Sequence, residues 1–260
     1  MLNDFFQLIV NNPWSTANIC VVVLLVVFEI IIPLKKYPLL SRSQREDIFW
    51  LVTNKFLSIN VWSLLTYKFG DLASRALAGY NINLETQHVT LQLIAFFLLS
   101  DLISFFSHRL LHKNDYLWQF HQLHHSTEDL TTTSGFRHHW LEGLYYGVWH
   151  TALASVLIVN PNVRLAMTLL ISFTCYFQHA NLKIPLNGWV DLIFITPLNH
   201  RWHHSQVSYK PKGQNFGLIL SIWDRWFGSH YVPPYEPEKL GTDSEYPKTL
   251  ASRLIYPFIK

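Results

Sequence analysis

The run Val89–Ser107, VTLQLIAFFLLSDLISFFS, passes without a glycine or proline into His108-Arg109-Leu110-Leu111-His112. Nineteen residues of this composition approach the ~20 that cross a hydrocarbon core as a helix, and they hold a single acid, Asp101. His108 and His112 stand four residues apart, so they share one face of that helix. An apolar helix ending in paired imidazoles sets the class of the whole chain: all-α, embedded in a membrane, with polar chemistry at one end.

Composition agrees. Half of the 260 residues are hydrophobic and only 14% are charged, where a soluble domain carries about 25%. Mean hydropathy is +0.14. The formal charge of +3 is spread along the chain, which gives no stripe for nucleic acid. Disorder is excluded by the apolar content. A disulfide framework is excluded because Cys20 and Cys175 both lie in apolar runs.

Working outward, further apolar runs are Trp14–Ile32, Ile48–Tyr67 (interrupted by Asn54, Lys55 and Asn60, with a helix lying partly in the interface as the alternative to a span), Leu141–Val159 and Val163–Phe177. Together they predict an integral membrane bundle of four to five transmembrane helices. Asn160-Pro161-Asn162 reads as the turn of a helical hairpin. The first run has no basic residue before it and Lys35-Lys36 after it, which is an anchor and not a cleaved signal. Lys35, Lys36, Arg42 and Arg45 place the first loop in the cytoplasm. The N-terminus then faces outward, and the histidine clusters and C-terminus face the cytoplasm. The expected organisation is anchoring helices over 1–88, a catalytic segment over 89–230 and a cytosolic tail over 231–260.

Twelve of the 14 histidines fall between His108 and His204. After His108 and His112 come His121-Gln122-Leu123-His124-His125 and, much later, His200-Arg201-Trp202-His203-His204. Each of the later clusters has spacing i, i+3, i+4, one helix face. Eight buried imidazoles without a metal would be hard to satisfy and would repel when protonated. They exceed what one ion takes, so two metals are expected. Imidazole suits iron, copper, nickel and zinc alike, and no HExxH pattern places a general base between ligands. A two-metal site at a membrane face meets lipid carbons, and unactivated C–H bonds demand an oxidant that iron with O2 supplies.

These boxes, the last preceded by Thr196-Pro197, resemble the sterol desaturase/fatty acid hydroxylase superfamily of membrane di-iron oxygenases. Arg137-His138-His139-Trp140-Leu141-Glu142 is similar to its Arg-x-His-Pro-x-Glu segment, with Trp140 where proline is usual. Gln178-His179-Ala180-Asn181 is similar to its single-histidine segment. Asn215-Phe216-Gly217 through Trp223-Asp224-Arg225-Trp226-Phe227-Gly228 resembles its C-terminal signature. The resemblance implies a cytosolic helical cap holding two irons, with His108, His112, His121, His124, His125, His179, His200, His203 and His204 as ligands. His139 is either a tenth ligand or a support for one. The eight box histidines carry catalysis.

Beside these, His138 reads as solvent-facing and His150 as bonded to a helix neighbour. Asp101 and Glu142 are candidates to orient a ligand imidazole, with pairing inside the bundle the alternative for Asp101. Trp202, Trp223 and Trp226 read as an interface belt. The leading function is hydroxylation or desaturation of a lipid or sterol-like substrate with O2. No haem, flavin or GxGxxG motif is visible, so electrons are expected from a separate reductase or redox carrier. The alternative is a histidine-rich membrane metal transporter, which would place its ligands near the bilayer midplane.

Overall fold

A computed structural model describes residues 13–57, 63–184, 188–206, 213–242 and 246–259. The expectations for the extreme N-terminus and for the middle of the second run, Asn60 included, lie outside the described residues. The long helices are α1 (Pro13–Ile31), α2 (Arg42–Leu57), α3 (Ser63–Ala76), α4 (Val89–Lys113), α5 (Asp115–His125), α6 (Trp140–Val156) and α7 (Pro161–His179). Short helices follow at α8 (Trp189–Ile193), α9 (Pro197–His203) and α10 (Ile222–Trp226), and α11 (Leu250–Ile259) ends the chain. Two two-residue strands, Ile82–Asn83 and Leu157–Ile158, pair in parallel.

Helix α4 is the axis. Its 25 residues rise about 37 Å, more than the ~30 Å of a hydrocarbon core. His108 and His112 sit at its C-terminal end. Among the described residues it is the one helix long and apolar enough to cross a membrane. Helices α6 and α7 both pack on α4, α3 packs on α6, and α1 packs on α7.

The predicted α6–α7 hairpin forms at its turn. Asn160 caps α7 by accepting from Asn162 N, with Pro161 in the first turn, a position that needs no N–H. The two helices do not lie along each other, however. They converge only near the turn, where Phe96, Leu153, Leu157, Val159, Val163 and Met167 form one buried cluster. Toward the histidine end they splay.

Carboxylates buried at this end stitch the layers together. Glu29 of α1 accepts from Thr132 N (2.7 Å), Thr132 Oγ1 (2.9 Å) and Asn181 N (2.7 Å). Asp101 accepts from Ile219 N (2.9 Å), Leu220 N (3.0 Å) and Trp223 Nε1 (2.8 Å). It therefore pairs inside the bundle, and among the described residues none of its hydrogen bonds goes to an imidazole. Trp202 and Trp223 are buried while Trp226 is 68% exposed, so only Trp226 retains the place of an interface residue. The reason is local: each indole N–H of the buried pair finds an internal acceptor, Tyr235 O for Trp202 and Asp101 for Trp223.

Glu29→Ala is expected to leave two buried backbone N–H groups unpaired, at about 1–3 kcal/mol each. Thermal unfolding in detergent should show a midpoint lower by roughly 5 °C or more, with Glu29→Gln, which keeps an acceptor, falling less.

Candidate metal centre

Local sequence explains how each box is delivered. Asn114 ends α4 in extended backbone, and its side chain accepts from Tyr116 N and Leu117 N, starting α5 at a new angle. Thr196 and Asn199 form a reciprocal capping box with Pro197 in the first turn of α9, which launches a seven-residue helix on demand. His179 is the last residue of α7.

Nine histidines meet in two groups. His108, His112, His121, His125 and His203 form one, and His124, His179, His200 and His204 form the other. Within each group the candidate donor atoms lie within 4.8 Å of one another, and all but the partly buried His108 are buried. The two HxxHH boxes are divided between the groups. His121 and His125 go to the first while His124 goes to the second. His200 and His204 go to the second while His203 goes to the first. Residues four apart thus share a group, and the residue between them crosses over.

The spacing within each group fits ion binding. Nε2 atoms face each other at 3.2 Å (His108–His121), 3.1 Å (His124–His179), 2.9 Å (His179–His200) and 3.1 Å (His200–His204). Two nitrogens at right angles about 2.1 Å from a common ion stand about 3.0 Å apart. Nε2 of His112, His125 and His203 is buried with no hydrogen-bond partner, a cost that a metal bond removes. Burial, reinforced by neighbouring rings, holds His124, His125, His200 and His204 well below the usual imidazole range. His203 is pushed down to about 3 by burial, against its bond to Gln214 O. These rings are neutral donors at pH 7.

Five of the rings have their other nitrogen fixed. Nδ1 of His108 donates to Phe216 O (3.0 Å), His121 to Glu142 Oε1 (2.9 Å) and His124 to Arg137 O (3.2 Å). That of His179 donates to Cys175 O (2.5 Å) and that of His203 to Gln214 O (2.6 Å). Such bonds set the tautomer and turn the Nε2 lone pair inward.

His139 stands apart from both groups. Its Nδ1 caps α6 by accepting from Leu141 N, and its Nε2 donates to Leu254 O at 3.2 Å. Both ring nitrogens are engaged away from the centre. His138, read from sequence as solvent-facing, instead stacks on His124 with centroids 4.4 Å apart and bonds Glu142 Oε1 at 3.0 Å. Burial disfavours its charge, but the Glu142 carboxylate outweighs this and raises it to about 10. The chain turns at 137–140 so that the first histidine faces inward and the second starts the helix. His150 meets Ser104 Oγ at 3.5 Å.

A cavity of about 410 Å³ opens where α6 and α7 splay. His108, His121, His124, His179 and His200 are among its lining residues, with Tyr146, Ile171, Tyr176 and Leu218. Sequence reasoning missed the partners that hold the ligands' supports. Arg137 Nε pairs with Asp47 Oδ1 at 2.6 Å and its Nη2 reaches Ser43 O at 2.9 Å. Asp224 accepts from Phe216 N and Gly217 N at 2.7 Å each. The only sequence signal for the first pair was an acid and a base in unrelated segments.

His124→Ala is expected to lose metal while His139→Ala and His230→Ala retain it. Glu142→Gln should weaken retention about 10- to 100-fold. Elemental analysis after graded chelator challenge reads all four, and full metal content in His124→Ala would refute the donor set.

Residues 93–229 match the family described as fatty acid hydroxylase. The chain is 33% identical over 159 residues to ornithine lipid hydroxylase OlsE of Rhizobium tropici, covering 59% of this chain and 46% of that protein. It is 33% identical over 125 residues to alkylglycerol monooxygenase of Homo sapiens, covering 47% and 26%. The corresponding figures for the alkylglycerol monooxygenase of Danio rerio are 33% over 136 residues, 51% and 29%. The matched stretch thus spans less than half the length of each of these relatives. No solved structure matches. With the family matched over more than half its length, the chain belongs to the fatty acid hydroxylases of the sterol desaturase/fatty acid hydroxylase superfamily.

Proposed function

We propose that this protein is a membrane-bound di-iron oxygenase that hydroxylates a C–H bond of a lipid. The observation that carries the reading is a cavity lined both by imidazoles of the two groups and by apolar and aromatic side chains such as Ile171, Leu218 and Phe136. Two iron ions held by the nine histidines would supply O2 activation and the oxidising equivalents, with electrons from a separate donor protein. The chain's own part is positional. Tyr146, Ile171, Tyr176 and Leu218 offer an apolar berth for hydrocarbon beside the donor rings, excluding water from them. Glu142 holds the Nδ1 proton of His121 and also faces His138.

Hydroxylation is preferred to desaturation because the relatives are named as a hydroxylase and monooxygenases. The transporter alternative is weaker, because the donors form two closed groups at one end of α4 and not a path along it.

The proposed topology is four to five spans with the N-terminus outside and the histidines and C-terminus cytoplasmic. Its support is a contact: Lys35 N donates to Asn181 Oδ1 (3.0 Å) and Asn181 Nδ2 to Lys35 O (2.7 Å). The basic loop thus lies beside the segment following His179, at the same end as the metal groups. If the protein is bacterial, this end faces inward across the cytoplasmic membrane.

Protein from iron-replete cells should carry close to two irons per chain, and heavy-isotope O2 should label a hydroxylated lipid in membranes supplied with reductant. One metal per chain would refute the paired site, and an unlabelled, newly unsaturated product would replace hydroxylation by desaturation. An impermeant thiol reagent should fail to label Lys36→Cys in intact cells. Labelling there would invert the topology.

A further inference from the structure

Asp101 lies at the middle of α4, equally far from Val89 and Lys113. At about 1.5 Å per residue it stands about 18 Å from each end. A hydrocarbon core of about 30 Å crossed by this helix encloses Asp101 wherever along α4 the core begins. What bonds to Asp101 therefore lies at the same depth, namely Ile219 N (2.9 Å), Leu220 N (3.0 Å) and Trp223 Nε1 (2.8 Å). The resemblance read from the sequence places this late stretch in a cytosolic cap. Non-helical backbone is tolerated at membrane depth only where its polar groups are bonded inside protein. Here Ile195 N donates to Ile219 O (2.8 Å), Ser221 N to Ile193 O (2.9 Å) and Ser221 Oγ to Asp191 O (2.8 Å). These bonds join the end of α8 to the start of α10.

The outer surface of the joined pair is apolar. Trp189, Leu192, Ile193 and Phe194 on one side, and Trp226 and Phe227 on the other, are all exposed. Phe227 packs edge-on against Phe106 of α4, with centroids 4.9 Å apart. Leu99, Phe106 and Leu110 share one helix face and are exposed as well, so the surface continues along α4. Arg225 is exposed between the two sides and donates to Asp191 O at 3.1 Å. A guanidinium on a long stem reaches the headgroups from such a place.

Resting on the reading of α4 as a transmembrane span, we propose that α8 and α10 form an elbow immersed in the bilayer beside α4, with its exposed side chains against acyl chains. Lipid is the occupant because the face continues that of a helix which lipid already surrounds, and because its anchor stands at mid-depth. A contiguous exposed apolar patch is itself the mark of such a surface. An acid at mid-span is costly in lipid, and gathering three N–H groups of the elbow is what Asp101 does there. The elbow also adjoins the chemistry: Phe216 O accepts from His108 at 3.0 Å and Leu218 lines the cavity. Seating the elbow in the bilayer thus fixes the metal end against the membrane.

The test uses the full chain in phosphatidylcholine vesicles, with and without lipid brominated in mid-chain, which quenches the indoles it touches. Trp189→Phe and Trp226→Phe isolate each indole by difference from the wild type, with circular dichroism as the control for folding. Each indole should lose about half of its intensity in brominated vesicles and stay insensitive to acrylamide in the water phase. Indoles that acrylamide reaches and bromine does not would put the elbow in water. Indoles that neither reaches would be covered by a second copy of the chain, and either result overturns the inference. Leu98→Trp, on an exposed position near the middle of α4, reports the span itself. Quenching there without quenching of Trp189 and Trp226 sinks the elbow alone. Quenching of the elbow without quenching in Leu98→Trp leaves the elbow in lipid and sinks the reading of α4 as a span.

Discussion

A neutral imidazole carries one proton, and a ring that offers Nε2 to a buried interior must keep that proton on Nδ1. A buried N–H in turn needs an acceptor. Much of the structure around the nine histidines is the set of acceptors this demands. His179 uses Cys175 O one turn back in its own helix, through the second lone pair that a backbone carbonyl keeps. His108 and His203 cannot do so, and each reaches a carbonyl of the irregular 214–216 stretch. His121 takes a carboxylate. The same demand explains why the late loop of the chain folds back onto the end of α4.

Those acceptors must themselves be held. The 213–217 loop runs through Asn215 at φ 54°, a left-handed backbone that Asn tolerates better than most residues. Asn215 closes it by bonding Tyr231 through both its oxygen and its nitrogen. A Cβ at Gly217 would stand 2.7 Å from Leu220 O and 2.9 Å from Asp224 Oδ2. Glycine is thus required there by a close approach, so that Asp224 can grip the loop from beneath. On the opposite side the Arg137 backbone serves His124 while its guanidinium is fixed by Asp47 and Ser43. Breaking that buried pair would strand a charge, which is costlier than the pair is favourable. Support therefore passes outward in two steps, from ring to acceptor to the residue that fixes the acceptor.

What could be read from the sequence follows the same division. The three boxes were legible because helical spacing alone puts their rings on common faces, and α4, α6 and α7 were legible from apolar runs near their observed limits. The division of each HxxHH box between two groups was not, since it depends on where α5 and α9 cross. Nor was the inward turn of His138 in place of His139, because adjacent residues in an extended stretch point opposite ways and only the start of α6 sets the phase. Asp47 with Arg137 and Glu29 with Thr132 span about a hundred positions, and no local pattern marks such pairs. An acid inside an apolar run, as at Glu29 and Asp101, was the one clue available. In both cases it marks a carboxylate that gathers backbone N–H groups from a distant loop.

The two groups are unequal, and the cavity meets them unequally. Five imidazoles form one and four the other. Three of the four rings in the smaller group line the cavity, His124, His179 and His200, against only His108 and His121 of the larger. His124 of the smaller group stacks on His138, which bonds Glu142. Glu142 bonds His121 of the larger group and also His138, whose charged form it favours, so the carboxylate and this imidazolium offset each other beside the donors. The two groups thus differ in ring number and in access, five rings with two at the cavity against four rings with three.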